Sequence, residues 1–399
     1  MVENIPRYQV YLLMLGMTFA GSASTITQKL QNSQMYFNDQ EQQRVKYQHP
    51  FFQTFVMLVG ELVCLPLFYL MRCNEIRRYG EKESIPSYIS AQERGLNMKP
   101  SKLWLIIPAI FDLLGSTLLF ISLTMISASV YQMLKGALVF IATIYSIIFL
   151  KRRYHRHHWT ALFIVITGVI IVGASPIIYP EEDSQTEEIG AGTIIFGIIL
   201  EVVALLFIGG NWISEEILFQ FYYLHPIEVV GWEGFWGALM YCFILIGFQF
   251  IPCHNTKICR YGVMEDTIHA FYEFGQNNLL WMFAILLIVW TALFNIFNVA
   301  VTKYASAAQR STVDTCRTAL IWAFFIFYTG EGHERFIWLE LVGFTLLIIG
   351  TLIHTEVIIF PFFGFNKNTQ KSKEDMTKQK HNVNESDRDK ILSEDTYRS

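Results

Sequence analysis

Charge is what this sequence has least of. Asp, Glu, Lys and Arg make up 16% of its 399 residues, and they gather in loops and in the tail 366–399. No basic groove forms, and a net charge of −4 gives no pull toward nucleic acid. A soluble chain of this length would alternate its apolar runs with charged surface, and this one does not. There is no Gly-x-Ser-x-Gly, no pair of aspartates suited to hydrolysis, and no metal-ligand pair at i, i+4 inside an apolar run. An intramembrane enzyme therefore has no support, and no cofactor is expected. No small-residue cleavage site follows the first apolar run, Tyr8–Leu30, which reads as a signal anchor.

Cysteine is scarce and scattered. Cys64, Cys242 and Cys316 lie inside apolar segments and Cys73 at a span edge, where a small hydrophobe is the default. Cys253 and Cys259 share one loop, with His254 beside them. Zinc-type residues are too few there for a closed tetrahedral site, and a disulfide is expected instead. His155, His157 and His158 sit in a run of cations from Lys151 onward, which opposes a metal and reads as a topology determinant.

What is present is hydrophobic length. The chain is 53% hydrophobic with a mean hydropathy of +0.35, and its apolar runs match about 30 Å of hydrocarbon. Ten spans are expected, near 8–30, 51–71, 103–125, 127–150, 158–178, 192–213, 229–251, 279–302, 305–329 and 336–359. Thr124–Gly173 returns faintly as Val301–Gly350, with Ala128-Ser129-x-x-Gln132 falling on Ala305-Ser306-x-x-Gln309. Tyr47-x-His49-Pro50 likewise returns as Tyr223-x-His225-Pro226. Five spans separate the copies, so they cross the membrane in opposite senses, as the inverted repeats of secondary transporters do. The fold expected is an all-α polytopic membrane protein of two five-helix repeats, 1–178 and 179–360, with a disordered tail at 361–399. Basic loops at 72–102 and 151–156, against the acidic loop 179–191, place both termini in the cytosol. Residues 264–275 read as a short amphipathic helix at the opposite surface.

Buried charge supplies the candidate site, because a charge in a span costs about 2.5–3.5 kcal/mol even on the lenient insertion scale. In span nine Arg310, Asp314 and Arg317 share one face, and Asp314 can pair with both arginines, leaving one cation over. Span four carries Lys135 one turn after Tyr131 and Gln132, with Asp112 and Glu61 as partners by depth. The alternatives are an internal salt-bridge ladder in span nine and a static Lys135–Asp112 pair holding helices in register, against which the repeat favours function. Span six adds Glu201 and Asn211 after Gly209-Gly210, a pair that admits either a ligand or a neighbouring helix. Span eight adds Asn295 and Asn298. Glu215, Glu216, Glu228 and Glu233 read as interfacial. His49 and His225 are either proton-sensing gates or helix caps. The substrate-binding set is then Asp112, Gln132, Lys135, Asn211, Asn295, Asp314 and Arg317, with Glu61, His49 and His225 for proton coupling or gating.

The run Ser127-Ala-Ser-Val-Tyr-Gln-Met-Leu-Lys-Gly136, with Tyr47-Gln-His-Pro-Phe51, Gly60-Glu61, Asp112, Glu215-Glu216 and Thr312-Val-Asp-Thr-Cys-Arg317, resembles the drug/metabolite transporter superfamily (EamA-like). Within it the chain is similar to solute carrier family 35, subfamily F. The resemblance implies a central cavity walled by spans one to four and six to nine, with five and ten outside, and transport by alternating access. The Phe-Tyr-Asn-Asn and Gly-Ala-Leu-Asn-Lys runs of nucleotide-sugar carriers are absent, which speaks against that substrate.

The expected function is secondary transport of a small polar organic solute in an intracellular membrane, lysosomal, vacuolar or Golgi. An anionic, nucleotide-type group would meet Lys135 and Arg317, with Asp112 and Asp314 holding those cations. The alternatives are a proton-coupled exporter of amino acids, peptides or amphipathic cations, for which Asp387-x-x-x-Ile391-Leu392 resembles an endolysosomal sorting signal, and a non-transporting scaffold or receptor. Expected partners are the substrate and the lipid bilayer, with no nucleic acid; a homodimer stays open.

Overall fold

The computed structural model describes residues 7–38, 43–47, 49–179, 191–252, 262–305, 307–327 and 336–356. Cys253, Cys259, most of the acidic loop and the tail with its dileucine run lie outside them.

The elements run in order as α1 (Arg7–Asn32), a hairpin of β1 (Met35–Asn38) and β2 (Gln43–Lys46), then α2 (Pro50–Leu62), α3 (Cys64–Tyr79) and α4 (Pro86–Glu93). Next come α5 (Ile106–Met125), α6 (Ala128–Leu134), α7 (Leu138–Leu150), α8 (Arg156–Ile178) and α9 (Ala191–Phe221). The chain continues through α10 (Pro226–Phe248), α11 (Thr267–Gln276), α12 (Asn278–Tyr304), α13 (Ala307–Phe327) and α14 (Trp338–His354). Among the described residues, eight helical segments are long and apolar enough to cross a membrane. The other two expected spans are α13, which carries three charges, and α14, which has 17 residues. The hairpin, with Met35 opposite Lys46, is a departure from the all-α expectation. Its aromatic and β-branched residues suit a pleated ribbon.

Two of the expected spans are interrupted. The second breaks at Val63, between α2 and α3. Pro66 has no N–H to offer the Leu62 carbonyl, so the ladder opens there. The fourth passes from α6 to α7 through a 3₁₀ turn at Lys135–Ala137. A tight turn in mid-span rotates the side chains on either side of it relative to one another.

The side chains are distributed inside out. Leu15, Phe163, Ile170 and Phe243 are exposed, and the buried set is rich in Gln, Thr, Asn, Glu and Arg. Lipid replaces water as the outer solvent, so outward apolar faces cost nothing and polar groups turn inward. Small residues set the helix spacing. A Cβ on Gly168 would lie 2.8 Å from the Gly343 carbonyl oxygen, where α8 crosses α14. Gly209 meets Ile141 and Tyr145 of α7, and Gly210 meets Phe111 of α5. That glycine pair therefore serves packing between helices.

Candidate functional site

Besides Glu216, paired with Arg152, and Glu340 of α14, six carboxylates and three cations of the described helices lie inside the bundle: Glu61, Asp112, Glu201, Glu215, Glu233 and Asp314 against Lys135, Arg310 and Arg317. All but Lys135 and Asp112 are buried, and those two are half-buried. They fall into two groups.

The first group joins α2, α5, α9, α10 and α13. Arg310 Nη1 donates to Glu215 Oε2 at 2.5 Å and to Thr302 Oγ1 at 2.9 Å, and its guanidinium stacks 4.4 Å over the Trp212 ring. Asn295 Nδ2 donates to Glu61 Oε1 at 2.5 Å, and Ser116 Oγ to Asp112 Oδ1 at 3.3 Å. Glu233 of α10 lies close enough to Glu215, Glu61 and Asp112 to feel their charge. Arg310 is the cation that Asp112, Glu215 and Glu233 share.

The second group surrounds the turn at Lys135. The Lys135 ammonium sits 4.1 Å from the centre of the Tyr131 ring, within electrostatic reach of Arg317, Asp314 and Glu201. Arg317 Nη2 lies 2.8 Å from Asp314 Oδ1, and its guanidinium stacks 4.7 Å over Phe294. A Cβ on Gly21 of α1 would come within 2.6 Å of the Arg317 side chain, so α1 leaves a notch for it. Ser122 Oγ donates to Glu201 Oε2 at 2.8 Å, and Gln132 Nε2 to Thr25 Oγ1 at 3.3 Å.

The partners differ from those the sequence suggested. Asp112 associates with Arg310, and Lys135 with Glu201 and Asp314. Arg310 turns to α9, so Asp314 holds one arginine and none is left over. Glu215 and Glu233, read as interfacial, are buried at 1% and 5% exposure. The signal for Glu215 was its position one turn after Asn211, on a helix that runs on to Phe221 rather than ending at 213.

Several buried polar atoms have no hydrogen-bond partner among the described residues: Glu61 Oε2, Asp112 Oδ2, Gln132 Oε1, Glu201 Oε1, Asn211 Oδ1, Glu233 Oε1 and Asn298 Oδ1. Such atoms are rare in protein interiors, and each calls for a water, an ion or a ligand. Their clustering within one bundle is what a polar solute would satisfy.

The two repeat-related histidines separate. His225 caps α10, with Nδ1 accepting from Ile227 N at 3.3 Å, and stacks on Phe68. Burial, then Lys303 and Arg72, lower its pKa to about 3, so the ring is neutral at physiological pH. His49 heads α2 but leaves its cap unmade. Its Nδ1 lies 2.5 Å from Glu265 and its Nε2 3.2 Å from Glu273, fastening α2 to the surface helix α11. Tyr47, Phe52 and Phe274 pack edge to face around this clasp.

Burial opposes charge on His49, but the two carboxylates outweigh it and raise its pKa to about 10. That value lies above the ordinary 6.5. The stabilisation is therefore complete below pH 6.5 and fades as pH rises through about 10. His49→Gln is expected to lower the melting temperature most at about pH 6 and least above about pH 10. A difference that widens with pH would refute this account of the clasp.

A model of the nucleotide-sugar transporter family matches residues 19–218. The chain is 31% identical over 348 residues to solute carrier family 35 member F6 of Mus musculus, covering 87% of this chain and 88% of that protein. It is 30% identical over 354 residues to an uncharacterized protein of Schizosaccharomyces pombe, covering 88% and 98%. A shorter match, 29% over 123 residues, reaches a UDP-N-acetylglucosamine/UDP-N-acetylgalactosamine transporter of Caenorhabditis elegans, 30% of this chain and 33% of that one.

Proposed function

This chain belongs to the nucleotide-sugar transporter family, within solute carrier family 35, and on that premise we propose a proton-coupled carrier that works by alternating access in an intracellular membrane. It is an integral membrane transporter of a small molecule, not an enzyme. Its cargo on this reading is a small polar solute bearing positive charge, such as an amino acid, a peptide or an amphipathic cation.

One observation carries the choice of cargo. In the two groups described, six carboxylates face three cations, an excess of three negative charges if all ionise. Unpaired carboxylates are costly at membrane depth, so protons or a cationic substrate must neutralise them. Binding of one and release of the other would couple the two flows.

The helix pairing supports ten spans arranged as two inverted repeats, 1–178 and 179–360. In span numbers, the packed pairs include 1 with 8, 3 with 6, 2 with 7, 4 with 9 and 5 with 10. Exchanging each span for its counterpart five places on turns the first pair into the second and each of the others into itself. Several of the lesser contacts obey the same exchange: 1 with 9 becomes 6 with 4, 2 with 8 becomes 7 with 3, 2 with 3 becomes 7 with 8, and 4 with 5 becomes 9 with 10. A pseudo-two-fold in the membrane plane has this property. Span pair 4 and 9 then brings the Lys135 turn and Asp314–Arg317 to the axis.

The test is counterflow uptake by proteoliposomes holding the purified full-length protein, with and without an acid-inside gradient. The panel sets amino acids, short peptides and cationic amphiphiles against nucleotides and nucleotide sugars. Gradient-dependent uptake of the first group is expected. Glu61→Gln keeps the acceptor for Asn295 but cannot release a proton, and should lower that uptake on the order of tenfold. Uptake of cations that ignores both the gradient and Glu61→Gln would end the proton-coupled reading.

A second reading, an anionic nucleotide-type substrate, draws on Lys135, whose ammonium rests on an aromatic ring and makes no direct ion pair among the described residues. Uptake of a nucleotide that is lost in Lys135→Ala, with the protein still folded, would favour it. No uptake of anything by folded protein would favour a scaffold or receptor.

A further inference from the structure

The histidines of the basic run acquire a partner that the linear sequence hides. His157 and His158 occupy the first turn of α8, and Glu356 follows the end of α14, 199 residues away. Glu356 adopts a left-handed backbone, φ 59°, just past the helix, a conformation that ends a helix and reverses the chain. The turn brings its carboxylate onto the start of α8. Oε1 lies 3.1 Å from His157 Nε2 and 3.8 Å from His158 Nε2, and the two imidazole centroids are 4.0 Å apart. All three candidate ligand atoms lie within 4.8 Å of one another.

That spacing matches donors around a small divalent ion. Bonds of about 2.0–2.1 Å at tetrahedral angles put neighbouring donors about 3.3 Å apart, between the two separations observed. Two imidazoles and one carboxylate are the donor set of zinc and the late first-row metals, whereas magnesium and calcium select oxygen alone. A fourth group stands close by. The His354 ring meets His158 edge-on at 5.3 Å and bonds Thr143 Oγ1 through Nε2 at 2.9 Å, and its buried Nδ1 has no hydrogen-bond partner.

The surrounding cations are the chief physical objection, and their placement weakens it. Arg152 is paired with Glu216. Lys151, Arg153 and Arg156 are exposed, where salt screens them over about 8–10 Å.

We propose that His157, His158 and Glu356 bind one divalent transition-metal ion, zinc by preference. The ion joins the first turn of α8 to the end of α14, the outer pair that otherwise packs through Gly168, Gly343 and Gly350. It ties these two helix ends together.

The experiment uses the full-length protein in detergent, stripped with a chelator and titrated with Zn²⁺ alone and with Co²⁺ alone. Expected results are one equivalent of Zn²⁺, a rise in melting temperature, and a visible absorption band for Co²⁺ in a tetrahedral site. Glu356→Gln and His158→Asn should each weaken Zn²⁺ binding on the order of 100-fold and abolish the rise. Their metal-free melting temperatures, which should stay close to the wild type's, verify that they fold. Wild-type protein that takes up no Zn²⁺ at roughly micromolar concentration overturns the proposal. So does Zn²⁺ bound equally by wild type and both variants, which would put the ion elsewhere. None of these readouts involves transport, so the carrier reading can fail without touching this one.

Discussion

Arg310→Met is expected to cost about 3–5 kcal/mol and to remove most of the folded protein from the membrane. Arg310 is 3% exposed. It bonds Glu215 and Thr302 and stacks on Trp212, tying α13 to α9 and to the end of α12. Methionine fills a similar volume but leaves Glu215 an uncompensated charge at low dielectric. Asp112 and Glu233 lose the cation they share with it. Each must then take up a proton or draw water into the bundle. The double change Arg310→Met with Glu215→Leu removes both ends of the pair and should recover part of the loss, because a well-packed apolar pair often matches a buried salt bridge. Thermal unfolding in detergent measures all three proteins. An Arg310→Met protein that melts with the wild type would mean the surrounding carboxylates are already neutral and need no counter-charge.

Gly234→Ala should be nearly as damaging, for a reason of shape alone. Helix α10 crosses α2 so closely that a Cβ at 234 would overlap the Leu62 amide nitrogen and lie 2.6 Å from the carbonyl carbon of Glu61. One turn earlier, a Cβ on Gly231 would lie 2.7 Å from the Leu65 nitrogen. These are backbone atoms, which cannot swing aside, so the helices must part. Overpacking costs about 1–3 kcal/mol where side chains yield, and backbone contact puts this site at the upper end or beyond. Separation would also pull Glu61 from Asn295, so transport should fall along with the melting temperature. Gly247→Ala is the control, since a Cβ there on the same helix would meet no neighbouring element within 4 Å among the described residues. It should be neutral, or stabilising by up to about 1 kcal/mol from helix propensity. Equal effects at 234 and 247 would show that the crossing is looser than drawn.

The candidate site was only partly legible in advance. Asp112, Lys135, Asp314 and Arg317 stood out because charge in an apolar run is rare and conspicuous. Glu215 and Glu233 did not, because they fall beside the boundaries of the expected spans 192–213 and 229–251, where hydropathy declines. The helix continues past that decline, since protein rather than lipid covers it and a falling hydropathy no longer marks a boundary. Partner choice was also hidden. Depth along the membrane made Asp112 the natural mate of Lys135, but depth is one coordinate of three. The other two, helix azimuth and helix neighbour, give Lys135 to Glu201 and Asp314, and Arg310 to Glu215.

By itself the sequence determined that the chain is built of apolar spans, which ones carry charge, and that the halves echo each other. Those properties follow from hydrocarbon length, dehydration cost and periodicity, all of them local or one-dimensional. Only the tertiary structure decided what each charge meets. Tyr47-Gln-His-Pro and Tyr223-Leu-His-Pro are the same motif, yet His49 clasps two carboxylates while His225 caps a helix. The difference lies in α11, a surface helix that brings Glu273, with Glu265 just ahead of it, over one histidine. No such helix covers the other among the described residues. In the same way Glu356 gives the basic histidines a ligand that 199 residues of chain conceal. A side chain's chemistry is fixed by its type, but its role is fixed by its neighbours, and these come from elements far away in the chain.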